Sequence, residues 1–150
     1  MTGPNSTPVV VANSPFEERM GEFSPDGKWV VYETEELGRP QIVARAFPVA
    51  GGIVNISTNG GISPRWSADG KEIYFVALDG TMMAVSAVTA GSTLTAGKPQ
   101  PLFSTQIVGQ PFKFQYAVSR GGRFLVHSRH IDESAVPPIT LILNWKYPAK

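Results

Sequence analysis

Cysteine is missing from this 150-residue chain, which excludes disulfides, thiolate nucleophiles and cysteine-ligated zinc together. Charge is scarce: Asp, Glu, Lys and Arg make up 17% of residues and sum to +1, so there is no global attraction to nucleic acid or to a membrane surface. No segment approaches the roughly 18 consecutive apolar residues of a membrane helix. Met1 to Pro15 has no basic stretch followed by an apolar one. The expectation is a soluble chain with no membrane insertion and no export signal of its own. Histidine is found only at His127 and His130.

Against these absences stand 42% apolar residues, 15 Gly and 13 Pro, the punctuation of many short strands joined by turns. The predicted class is all-β. Charge is unevenly spread, with six Lys/Arg against nine Asp/Glu in residues 1–75 and seven against three in 76–150. Halves of opposite sign attract head to tail within a molecule or between copies, although exposed charges are screened beyond about 8 Å at physiological salt.

The dominant pattern is a repeat. Phe23-Ser24-Pro25-Asp26-Gly27-Lys28 returns as Trp66-Ser67-Ala68-Asp69-Gly70-Lys71 and, eroded, as Val118-Ser119-Arg120-Gly121-Gly122-Arg123, at spacings of 43 and 52 residues. Each copy precedes an apolar run, which starts at Trp29, Ile73 and Phe124. Self-similarity at this period signals a propeller or another array. Pro25 suits the second position of a turn, Asp26 accepts backbone hydrogen bonds, and Gly27 takes the positive φ closed to most residues. The third copy keeps only the glycine. The runs after the turns are apolar on both faces, so they require cover on both sides.

Three four-stranded antiparallel blades are expected at about 15–60, 61–105 and 106–147. Residues 1–14 read as a lead-in with a strand at Val9 to Val11, and 148–150 as a tail. Asp79-Gly80 marks a hairpin in the second unit, and Thr89 to Pro99 reads as a longer outer loop. The third unit offers strands near Phe112 to Val118, Arg123 to Arg129 and Ile139 to Trp145. It lacks a fourth strand, which Val9 to Val11 would supply by closing a ring.

The strings from Phe23 to Tyr32 and from Trp66 to Phe75 resemble the propeller repeats of the TolB C-terminal domain. Similar blades occur in prolyl-oligopeptidase-type enzymes and in bacterial eukaryotic-like serine/threonine kinases, and Ile139 to Trp145 is similar to the closing strand of the kinase group. The resemblance covers about residues 15–147. It implies a non-catalytic module that binds or senses a protein, peptide or small ligand. The alternative it implies is the accessory propeller segment of a larger peptidase or kinase whose catalysis lies in another domain. A periplasmic or extracytoplasmic location follows if the parent resembles TolB. The sequence has no Gly-x-Ser-x-Gly elbow, phosphate loop, His-Arg-Asp or Asp-Phe-Gly. No catalytic residue, metal or cofactor is therefore expected.

His127 and His130, three apart on a strand, point to opposite faces and cannot chelate one metal. His127 aligns by count with Tyr32 and Phe75. Asp26 and Asp69 belong to equivalent turns a blade's width apart, which makes them turn caps. Lys113, Arg120, Arg123 and Arg129 alternate with Phe112, Phe114, Tyr116 and Phe124, a composition that suits single-stranded nucleic acid. Packing between blades accounts for the same aromatics, so nucleic acid is not the expected partner. The candidate ligand-binding residues are Glu22 and Arg65, which precede the equivalent Phe23 and Trp66 on strands expected to line a central channel, with Ala117 as their counterpart.

Three blades fall short of the four to eight of a closed propeller. Their end faces would expose more apolar area than soluble monomers carry. The expected partner is therefore either a second copy, closing a six-bladed ring as a homodimer, or the remaining blades of a parent protein.

Overall fold

A computed structural model describes residues 8–48, 51–107 and 113–127, together with the backbone of 139–142. The described residues form twelve strands in three antiparallel meanders. The first sheet holds β1 (Glu18–Phe23), β2 (Trp29–Thr34), β3 (Gln41–Ala46) and β4 (Ile53–Asn55) in that order. The second holds β5 (Ile62–Trp66), β6 (Glu72–Val76), β7 (Thr81–Ala90), β8 (Thr93–Ala96) and β9 (Gln100–Ser104), with both β8 and β9 paired to β7. The third holds β10 (Tyr116–Val118), β11 (Phe124–His127) and β12 (Ile139–Ile142).

The repeated turn is built as its residues require. Ser24 Oγ accepts the Trp29 N–H at 3.0 Å and donates to Asp26 Oδ1 at 2.6 Å, and Asp26 Oδ1 also accepts the Lys28 N–H at 3.1 Å. Ser67, Asp69, Lys71 and Glu72 reproduce this set. Gly27, Gly70 and Gly122 all adopt positive φ, at 69°, 71° and 73°. The third turn differs in one respect. Ser119 pairs with Arg123, whereas Ser24 and Ser67 pair one residue further on, with Trp29 and Glu72. Gly121 has no carboxylate to hold the extra residue, so the loop closes one residue shorter.

A slip of one residue turns every following side chain to the other face of its sheet. The slip corrects the alignment by count, because Val126 and not His127 now matches Tyr32 and Phe75. Phe124 and Val126 are 1% and 2% exposed and pack toward the second sheet, while His127 is exposed on the opposite face.

Each sheet offers a forward face toward the next sheet in sequence and a rear face toward the preceding one. Trp29, Val31, Ile42 and Ala44 face forward and meet Trp66, Ile73, Phe75 and Val85 from the rear of the second sheet. Tyr74, Val76, Met82 and Ala84 face forward in turn and meet Tyr116, Phe124 and Val126. A third, smaller cluster lies on the rear of the first sheet, where Val30, Tyr32 and Val43 pack with Val11, Ala12 and Phe47. The strands covered on both faces are those whose apolar residues run without alternation.

Three expectations are corrected. Val9 to Val11 forms no strand: Val9 and Val10 are exposed, Val11 lies against the rear of the first sheet, and its carbonyl accepts Arg45 Nη1 at 2.9 Å. The segment Thr89 to Pro99 is a hairpin, not an open loop: β7 runs on to Ala90, turns at Gly91 (φ 59°) and pairs with β8. Thr93-Leu94-Thr95-Ala96 alternates as a strand must, and Leu94 is 5% exposed in the core between the first two sheets. The second sheet therefore has five strands, and the third has three among the described residues. Phe112, Arg129, His130 and the stretch 143–145 lie outside the described residues.

Candidate functional site

The first strands of the first two sheets share a second device that their sequences conceal. The β1–β2 register shifts between Arg19 and Glu22, and the β5–β6 register shifts between Ile62 and Arg65. At the bulges Met20 and Ser63, 43 residues apart, adopt φ of 56° and 55°. Bulges re-aim the side chains that follow them. Here those side chains are Glu22, opposite Val31, and Arg65, opposite Tyr74, both on forward faces. Ala117 stands opposite Leu125 in the same relation.

The two candidate residues meet. Glu22 Oε1 accepts Arg65 Nη1 at 3.2 Å, and Glu22 Oε2 accepts the Trp66 N–H at 2.8 Å. Arg65 in turn lays its guanidinium carbon 3.7 Å from the ring centroid of Phe114. Glu22 and Arg65 keep 28% and 26% of their side chains exposed, and Phe114 is 40% exposed. Carboxylate, guanidinium and aromatic face thus form a line from the first sheet over the second to the segment that leads into β10. Ala117 is too short to continue it.

A buried network beneath this line was not legible as a site. Glu33 is 3% exposed, and its Oε1 accepts the Ser63 N–H at 2.6 Å while Oε2 accepts Arg19 Nε at 2.9 Å. Arg19 also binds Glu35 at 2.6 Å and pairs with Glu17. Burial raises the Glu33 carboxyl above its usual range, and the Ser63 N–H and Arg19 oppose that rise. From the other side Tyr116 donates its hydroxyl to the Ser63 carbonyl at 2.7 Å, and complete burial holds that phenol well above its ordinary pKa. The Ser63 backbone is therefore clamped at its N–H and its carbonyl by one residue from each neighbouring sheet. The available signal was Glu33 itself, the one acid in β2, directly after the apolar run Trp29 to Tyr32.

The remaining candidates are placed as follows. Asp26 and Asp69 each serve their own turn, and the serine hydroxyl, then the backbone N–H two residues on, lowers each carboxyl's pKa. The two turns lie closer than a blade's width, since a Cβ at Gly70 would sit 3.5 Å from Pro25 Cδ. Of the basic and aromatic alternation, Tyr116 and Phe124 are core, and Phe114 lies under Arg65. His127 is exposed and groups with no metal-ligating set among the described residues. A separate cleft of about 710 Å³ opens between the second sheet and the linker that leads into it, bordered by Thr58, Phe75, Leu78, Asp79, Lys98 and Pro101.

Meanders that stack forward face on rear face, with β1 beside β5 in the first pair, define a segment of a β-propeller. Among solved structures the chain is similar to TolB from Acinetobacter baumannii, with a TM-score of 0.57 and 19% identity over 81% of this chain and 29% of that one. The fold is that of a TolB-like propeller segment, spanning under a third of the TolB chain it matches, and the described residues close no ring. No family model and no curated protein matches the sequence. Among the described residues no helix is long and apolar enough to cross a membrane.

Proposed function

We propose that the chain is a non-catalytic propeller module that binds a protein or peptide along the Glu22–Arg65–Phe114 line. The observation that carries this reading is the alignment of a partly exposed guanidinium and its carboxylate partner on adjacent first strands with an exposed aromatic ring on the segment that leads into the third. In propellers those strands surround the central channel. Arg65 offers a planar fork to a carboxylate or a backbone carbonyl, and Phe114 offers a face for an apolar side chain. Glu22 holds Arg65 in place and limits its competition for solvent. Similarity to part of TolB supports a propeller scaffold, and the choice of a binding role rests on the residue chemistry.

The test is selection from a displayed random peptide library on the immobilised chain. Selected peptides should lose about tenfold or more in affinity with Arg65→Ala, roughly 1.4 kcal/mol, and nothing with Lys98→Ala at the distant cleft. Equal affinity of the wild type and a Glu22→Ala, Arg65→Ala double variant for every selected peptide sinks the reading.

A further inference from the structure

Both internal contacts of the chain follow one rule: the forward face of one sheet seats on the rear face of the next. The rule leaves two unmatched faces among the described residues, the rear of the first sheet and the forward face of the third. Residues at equivalent positions show what each is missing. Trp66 is 6% exposed at the second sheet's rear, while its equivalent Phe23 is 53% exposed. Val31 and Tyr74, facing forward in the first two sheets, are 0% and 6% exposed, while their equivalent Leu125 is 42% exposed. On the rear of the first sheet Val11 and Ala12 cover the apolar cluster incompletely, leaving a groove of about 290 Å³ beside Glu18, Phe23 and Tyr32.

Charge distinguishes the two faces. Residues 15–60 carry four Lys/Arg and seven Asp/Glu, residues 61–105 carry three of each, and residues 106–147 carry five and two. The end segments are thus net −3 and +3 around a neutral middle. The signs reach the faces themselves. Glu18 pairs with Thr34 on the rear of the first sheet, where the charges of Arg45, Glu18 and Glu36 act on Tyr32 and Arg45 gives its Nη1 to the Val11 carbonyl. Arg123 precedes Leu125 by two residues, and so shares its forward face, and is exposed.

We propose that two copies of this chain associate head to tail, the forward face of each third sheet seated on the rear face of the other's first sheet, to close a six-sheet ring. A heterologous contact that closes after two copies gives a finite assembly, where one that fails to close gives a fibre. Propellers close with about four to eight sheets, so among whole multiples of three only two copies qualify. In the ring Leu125 enters the groove beside Tyr32 and Phe23, as its equivalent Val31 packs within the first seam, and Val11 and Ala12 shift or become part of the seam.

Sedimentation equilibrium of the 150-residue chain at low micromolar concentration tests this directly. A single species of twice 16.2 kDa is expected, with a dissociation constant that rises with salt because the seam is charged. Leu125→Glu should give a folded monomer by sedimentation and circular dichroism. Should that variant unfold, the opposite face decides: Phe23→Glu, at a position 53% exposed in the single chain, keeps the fold and weakens association about tenfold or more. A folded monomer at tens of micromolar, a chain that stays unfolded on its own, a ladder of higher masses, or a folded Phe23→Glu variant that associates as tightly as the wild type overturns the proposal. The first two of these outcomes assign the faces to further sheets of a longer chain.

Discussion

Glu33 sets the tension at the smallest scale. A buried carboxylate costs several kcal/mol unless charge and hydrogen bonds compensate, and this one has Arg19 and the Ser63 N–H as its compensation. Glu33→Ala leaves Arg19 without this partner and the Ser63 N–H unsatisfied, with an expected loss of about 3 kcal/mol in urea unfolding. The pH dependence follows from the direction of its shift. Because burial raises the folded-state pKa, Glu33 favours the fold most below its unfolded value and loses that contribution as pH rises through the folded value. The stability of Glu33→Gln relative to wild type should therefore improve as pH climbs through that window. Asp26, Asp69 and Asp79 act in the opposite sense: their lowered carboxyl pKa values stabilise the fold above the unfolded pKa and lose that effect as pH falls. With Asp69→Asn, a stability deficit at neutral pH should shrink in acid, since the wild type then loses the same charge. A deficit that grows in acid contradicts the turn-cap role.

At the scale of elements, the legible and the illegible parts of the sequence separate by mechanism. The Ser-x-Asp-Gly turns could be read because each residue does its work locally, within six positions of chain. Glu22 and Arg65 could be paired in advance because both precede an equivalent aromatic, although their mutual contact follows from the stacking of sheets. The bulges could not be read, since Met20 and Ser63 take positive φ without being glycine or asparagine. Without the bulges, Ser63 gives no hint that it joins Glu33 to Tyr116. The β8 strand was hidden by Gly91, Ser92 and three threonines, which resemble loop composition, while its alternation spans only four residues. The shorter third turn was hidden because counting residues assumes a constant loop, and Gly121 removes the carboxylate that keeps the loop long. Leu94 tests the reassigned segment. If β8 is a packed strand over the first two sheets, Leu94→Ala costs about 2–4 kcal/mol by loss of buried contacts and cavity formation. A cost within about 0.5 kcal/mol, as for an exposed loop residue, returns the segment to a loop.

Across the whole molecule, stability is shared between neighbours. The first sheet contacts the second through one core, the second contacts the third through another, and the described aromatic cluster of Tyr74, Phe103, Tyr116 and Phe124 belongs wholly to the second seam. In arrays of this kind stability is close to a sum of unit and nearest-neighbour terms, so damage at one seam should stay there. Phe124 is 1% exposed with its ring 5.0 Å from Tyr74 and 5.4 Å from Phe103, which makes it the centre of that seam. Phe124→Ala should cost about 3–5 kcal/mol, and native-state hydrogen exchange should locate the loss. Amides of β10 and β11 are expected to lose protection by the full amount, those of β6 by part, and those of β2 and β3 by little, because their core lies on the other side of the second sheet. Tyr116→Phe probes the same seam more gently, since it deprives the Ser63 carbonyl of its donor at a cost of about 1–3 kcal/mol, and it should produce the same gradient at smaller amplitude. Equal loss at every amide would mean that the sheets unfold as one unit, and the nearest-neighbour account would fall.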